Sequence, residues 1–169
     1  NFPINIGAMD TPEGRILAET LAELINERSG VTVGTHYFKT REELDKAVSA
    51  ERLQMTIEDT SDSLQALNAA VSSDSEKNFE TVKELYKAKK MVWLKPFSFI
   101  GKDANGNETI TASVITIKSL SQFPALPRVI GKLAKVINNE ALKEMIQEIN
   151  SNEKTKRVAK NFLVRESLI

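Results

Sequence analysis

The chain has 169 residues, 41% hydrophobic and 27% charged, and its 23 basic and 23 acidic side chains cancel. That length fits one domain, 1–169, able to bury a core without external staples, and the absence of Cys removes disulfides, thiol nucleophiles and thiolate metal sites. Zero net charge offers no field of one sign to nucleic acid or an anionic membrane surface, and no apolar run nears the roughly 20 residues that span a bilayer.

The chain opens at Asn1-Phe2-Pro3 without a signal-peptide pattern, as a trimmed or mature chain would. Ile4, Ile6 and Ala8 then alternate with Asn5 and Gly7, which predicts a short strand. Thr11-Pro12-Glu13 is a helix start, with Thr at the N-cap and Pro at the first position. Ile16, Leu17, Leu21, Leu24 and Ile25 follow at helical spacing until Ser29-Gly30. Val31 to Tyr37 is a second strand, and Thr40 with Glu43 forms a capping box for a helix carrying Leu44, Ala47 and Val48. Leu53 to Ile57 is a third strand. A helix from Thr60 or Ser61 carries Leu64, Leu67 and Val71, and a charged helix over about 76–89 turns Phe79, Val82, Leu85 and Tyr86 inward. Met91 to Leu94 is a fourth strand. Strands alternating with helices predict a parallel sheet covered on both faces.

The pattern then changes. Phe97-Ser98-Phe99-Ile100 and Thr109 to Ile115 flank Asp103-Ala104-Asn105-Gly106-Asn107, and Asn-Gly between β-prone runs predicts a hairpin. Beyond Thr116 the chain is helical. Pro124 and Pro127 bracket one start, Leu142, Met145, Ile146 and Ile149 mark a second helix, and Val158, Ala159, Phe162 and Leu163 a last one.

These segments resemble the glycine betaine/choline/carnitine-type substrate-binding proteins of ABC transporters, the osmoprotectant-uptake family. Its members typically begin Ile-x-Ile-Gly-Ser-Lys-Asn-Phe-Thr-Glu-Gln, matched here by Ile4-Asn5-Ile6-Gly7 through Gly14. Their third strand ends in Tyr-Pro-Glu-Tyr-Thr-Gly-Thr, matched by Thr56-Ile57-Glu58-Asp59-Thr60-Ser61-Asp62. Their Val-Trp-Leu-Lys-Pro is Val92-Trp93-Leu94-Lys95-Pro96, and their Val-Ala-x-x-Phe-Leu helix is Val158-Ala159-Lys160-Asn161-Phe162-Leu163. The resemblance covers about 1–99 and about 113–165, with a hairpin over 100–112 where the family carries a second lobe. It implies one lobe of a type II periplasmic binding protein: a three-layer α/β domain with a mostly parallel sheet of about five strands, the hairpin, and C-terminal helices packed back on it.

The departures fall on the positions that hold ligand in the family. Quaternary ammonium groups are held by aromatic faces, yet the family's cage Tyr aligns with Asp59 and its companion Tyr with Thr56. The Gln after the first strand aligns with Gly14, and an Asn pair with Ile100 and Gly101. Phe97 and Phe99 remain near a strand end as aromatic candidates.

Asp10, Glu58, Asp59 and Asp62 are expected at the C-terminal ends of parallel strands, where open α/β sheets place ligands. Carboxylates there attract a cation or polyamine, or ligate Ca²⁺; the competing reading is helix capping. A carboxylate acid–base pair has no support, and neither does a nucleophilic triad around the single His36. Trp93 beside Met91 is expected in the core, and Lys87, Lys89 and Lys90 complement a helix dipole.

The expected function is therefore non-catalytic: an exported, periplasmic or cell-surface domain related to ABC-type osmolyte uptake. Its weak or altered site would hold a small cationic or zwitterionic solute near Asp10, Thr11, Glu58, Asp59, Asp62, Phe97 and Phe99, with an ABC permease as partner and no cofactor or metal. The alternative is a ligand-free interaction module, acting through a protein partner or as a homodimer through 97–117, whose strands would otherwise leave an open sheet edge.

Overall fold

A computed structural model describes residues 2–151 and 153–169, with Asn1 and Asn152 outside them. In chain order the elements are β1 (Ile4–Met9), α1 (Pro12–Ser29), β2 (Val33–Phe38), α2 (Arg41–Ser49), β3 (Met55–Asp59), α3 (Thr60–Ala66), α4 (Ser75–Tyr86), β4 (Met91–Trp93), β5 (Ile100–Lys102), β6 (Glu108–Thr116), α5 (Ile117–Gln122), α6 (Leu126–Val136), α7 (Asn139–Asn150) and α8 (Thr155–Arg165). A short 3-10 helix, Lys87–Lys89, joins α4 to β4.

Local chemistry sets most boundaries. The Thr11 hydroxyl accepts the Gly14 N–H at 3.0 Å to start α1, and Gly30, at φ 73°, ends it in the left-handed region. Thr40 accepts the Glu43 N–H at 3.2 Å to start α2. Asp59 and Asp74 do the same for α3 and α4.

The sheet runs β2-β1-β3-β6-β4, with β5 added to β6. β1 is parallel to β2 and β3, while β6 is antiparallel to β3, β4 and β5. β4 therefore points the same way as β1, β2 and β3, and the sheet is mostly parallel with one strand reversed in its middle. Alternation divides the core. Ile4, Ile6, Ala8, Met55, Ile57 and Ile115 pack under α1, α6, α7 and α8. Ala112, Val114, Met91 and Trp93 pack with α3 and α4 on the other face, where Leu44, Ala47 and Leu53 hold α2.

Several expectations shift. β2 and β3 each start two residues later than the apolar runs did, and α3 stops at Ala66, leaving Leu67 as its cap and Val71 in a loop. Leu85 is 40% exposed rather than inward. The inner face of α4 is Asn78, Val82 and Tyr86, four residues apart, and Leu85 falls off that line. Residues 97–117 leave no broad open edge: β6 is paired on both sides within its own chain. The outer edge of β5 is tied by Asn139, whose side chain accepts the Ile100 N–H at 3.2 Å and donates to its carbonyl at 3.0 Å.

The hairpin turn also differs in detail from a two-residue Asn-Gly loop. The Gly106 N–H donates to the Asp103 carbonyl at 3.0 Å, the Asp103 N–H donates to the Asn107 carbonyl at 2.9 Å, and only Gly106, at φ 81°, is left-handed. This is the longer loop with glycine in the αL position. Gly106→Ala is expected to lower stability by about 1 kcal/mol through backbone strain alone, since nothing lies near the added Cβ. Urea unfolding measures it, and an unchanged midpoint would contradict the assigned turn.

Candidate functional site

The C-terminal ends of β1 and β3 lie side by side, and each leads directly into a helix N-terminus. All seven predicted residues make contacts that the strand order did not reveal. Asp10 accepts the Arg15 Nε–H at 2.7 Å. That hydrogen bond, set against a smaller desolvation and helped by the Arg15 and Lys39 charges, holds its carboxyl below the usual range. The Thr11 hydroxyl is occupied by the cap of α1.

Glu58 does not face this edge. It is buried and takes Arg41 at 2.6 Å, Thr56 at 2.5 Å, Ser63 at 3.0 Å and the Tyr86 hydroxyl. Arg41 also reaches Asp45 at 2.8 Å, Asp62 at 2.9 Å and the Tyr86 oxygen at 2.8 Å. Burial works against the Arg41 charge, but Glu58, Tyr86 and Asp45 outweigh it and raise its pKa further. Burial and the Glu58 charge likewise push the Tyr86 hydroxyl up, keeping it a donor. This cluster ties α2, β3, α3 and α4 together, so Glu58 and Asp62 are engaged as structural anions.

Phe97 and Phe99 are in the core, 3% and 2% exposed, with ring centres 5.8 Å apart and nearly parallel. The Phe97 N–H donates to the Thr111 carbonyl at 2.9 Å, which draws this segment along β6 and under α6. They present no aromatic face to the edge. Trp93 is core as expected, edge-on to Tyr86 at 5.4 Å and Phe79 at 6.1 Å. His36 lies on β2 with Nε2 2.9 Å from the Asn5 side-chain oxygen.

Asp59 stays at the edge together with Asp10 and Thr11, and unlike Asp10 it has no ion-pair partner among the described residues. Its carboxylate accepts the Asp62 N–H at 2.9 Å and the Thr109 hydroxyl at 2.8 Å. The Thr109 oxygen also accepts the Ser61 N–H at 3.1 Å, so the base of the hairpin covers the α3 N-terminus. Burial lifts the Asp59 carboxyl above the usual carboxylate range, against the opposing pull of those hydrogen bonds and Arg41. Glu13, in the first turn of α1, is solvent-exposed. Desolvation first and the Asp59 charge second push it up as well. Neither carboxylate forms an ion pair among the described residues. Sequence reasoning missed Glu13, Arg41, Tyr86 and Thr109; for Arg41 the only local signal was Asp45 four residues on.

The raised Asp59 has a testable consequence. A folded-state pKa above the unfolded one stabilises the fold below the unfolded value, and that contribution is lost as pH rises through the folded pKa. Charged Asp59 therefore opposes folding at neutral pH. Asp59→Asn keeps an N-cap oxygen and is expected to melt no lower than the parent at neutral pH, with its advantage shrinking as pH falls toward the carboxylate range. A difference in melting temperature independent of pH would refute the assignment.

The family model described as the substrate binding domain of the ABC-type glycine betaine transport system matches residues 3–123. The chain belongs to that family. It is a family of solute-binding domains rather than enzymes. Two solved structures share the fold. Apo YehZ from Escherichia coli superposes with a TM-score of 0.88 at 11% identity, covering 99% of each chain. A glycine betaine/carnitine/choline ABC transporter structure superposes with a TM-score of 0.85 at 13% identity, covering 98% of this chain and 99% of that one. No curated protein sequence matches significantly.

Within the glycine betaine-type domain, the sequence departures have physical reasons. A Cβ on Gly14 would stand 2.1 Å from the Met9 carbonyl oxygen, so no side chain fits there on this backbone. Thr56 is buried and spends its hydroxyl on Glu58. Ile100 and Gly101 are the start of β5, in the hairpin.

Proposed function

We propose that this domain is a solute receptor of ABC-type glycine betaine uptake with a weak or altered grip. Its ligand is a small cationic or zwitterionic solute, and the domain, exported to the periplasm or cell surface, delivers it to an ABC permease. The carrying observation is the Asp59 carboxylate at the C-terminal edge of the sheet, which accepts hydrogen bonds from the Asp62 N–H and the Thr109 hydroxyl and has no ion-pair partner among the described residues, with the acidic Glu13 in the first turn of α1. A quaternary ammonium group placed there supplies the cation that Asp59 lacks, with Asp10 and Thr11 at the rim. The aromatic faces used for such ligands are replaced by charge, which lowers selectivity. The hairpin over 100–112 takes the place of a second lobe, so an open edge meets only part of the ligand where a closed pocket buries about 70–90% of it. Family membership supports the solute class and the transporter setting.

Titration calorimetry with glycine betaine, choline, carnitine and a polyamine tests this. Saturable millimolar binding of at least one, weakened by Asp59→Asn, is expected; silence from all four would defeat the proposal. The second reading, a ligand-free module, is favoured by one observation: Thr109 already occupies both Asp59 and the Ser61 N–H. A stable dimer together with calorimetric silence would select it.

A further inference from the structure

At the opposite end of the sheet, below the N-terminal end of β4 and the C-terminal end of β6, lies a cavity of about 590 Å³. Its volume is in the range of small-molecule sites. Leu53, Met91 and the exposed Ile117 give it an apolar wall, and Lys89, Lys90 and Lys118 stand around it. Glu51 is the one acidic side chain in the lining. None of the three lysines is ion-paired among the described residues; Lys89 lies over the Tyr86 ring at 4.7 Å, which leaves Lys90 and Lys118 as the available cations.

The backbone marks the same place. Among the described residues four non-glycine residues have positive φ, and two of them, Glu51 at 58° and Lys90 at 56°, line this cavity. Lys90 is the left-handed cap that ends the 3-10 helix Lys87–Lys89, a position where glycine fits at lower cost. Here the strained turn sets Lys90 at the cavity, and its carbonyl accepts the Ile117 N–H at 2.9 Å, fixing the lysine-bearing turn to the start of α5.

We propose that this cavity binds an amphipathic anion: a carboxylate paired with Lys90 and Lys118, its hydrocarbon chain lying along Leu53, Met91 and Ile117. The site carries the opposite charge preference from the Glu13–Asp59 edge and is independent of it. A cationic amphiphile with the same tail is rejected, because the lysines repel it and only the tail contacts remain.

Octanoate and octyltrimethylammonium, titrated into the whole chain and followed by backbone amide NMR shifts, test this. Octanoate is expected to saturate, with shifts centred on Lys89–Met91 and Thr116–Gln122. Lys90→Gly with Lys118→Gln is expected to weaken it about five- to tenfold. The glycine suits the left-handed turn, so the variant keeps its fold, and an unchanged amide spectrum elsewhere verifies that. Equal binding of both amphiphiles, shifts centred elsewhere, no saturation, or full affinity in the double variant would each overturn the proposal.

Discussion

Arg41→Met is expected to lower the unfolding free energy by about 3–5 kcal/mol, the cost of leaving a buried carboxylate without its cation. The stranded group is Glu58, whose side chain is 2% exposed and whose short contact to Arg41 is 2.6 Å. Arg41 is the only cation paired with Glu58, Asp45 and Asp62 among the described residues, so one substitution unties α2 from β3 and α3 together. In urea, with a slope of about 1–3 kcal/mol/M, the midpoint falls by more than about 1 M. The double variant Arg41→Met/Glu58→Gln separates an ion-pair effect from lost packing. Removing the stranded charge restores much of the loss if the charge is the cause, as a double-mutant cycle would record. A double variant as unstable as the single one would assign the effect to packing.

Phe162→Ala is the second large effect, at about 3–5 kcal/mol for truncating a buried aromatic. Phe162 is 2% exposed on α8 and joins the cluster that includes Leu17, Leu21 and Leu24 of α1. Val164, two residues on, is 56% exposed, and Val164→Ala is expected to stay within about 0.5 kcal/mol. The contrast on one helix decides whether α8 is part of the cooperative unit. Equal, small effects would mean that the helices beyond residue 123, where the family match ends, are peripheral to the fold.

Those two substitutions also mark where the sequence was legible. The α1 start was readable because Thr11, Pro12 and Gly14 act within one turn, and the α8 stripe because Val158, Ala159, Phe162 and Leu163 share a helical face. The Arg41 cluster was not, because its partners lie 17, 21 and 45 residues away and no local pattern links them. For the same reason the reversed strand β6 was visible as a hairpin arm but its place between β3 and β4 was not. At the candidate edge, Asp59 was legible from its position before a helix. Glu13 was hidden as an ordinary first-turn acid, and Phe97 and Phe99 were misleading, since an aromatic near a strand end looks the same whether it lines a site or fills a core.

The contact between the Gly14 position and the Met9 carbonyl bears on any attempt to re-engineer this domain as a sensor. Grafting a glutamine there would drive a side-chain carbon into main-chain oxygen at 2.1 Å, which no rotamer can relieve. The peptide joining the first strand to the first helix would have to be re-laid before any new recognition group could be installed, so a useful library varies residues 9–14 as one block.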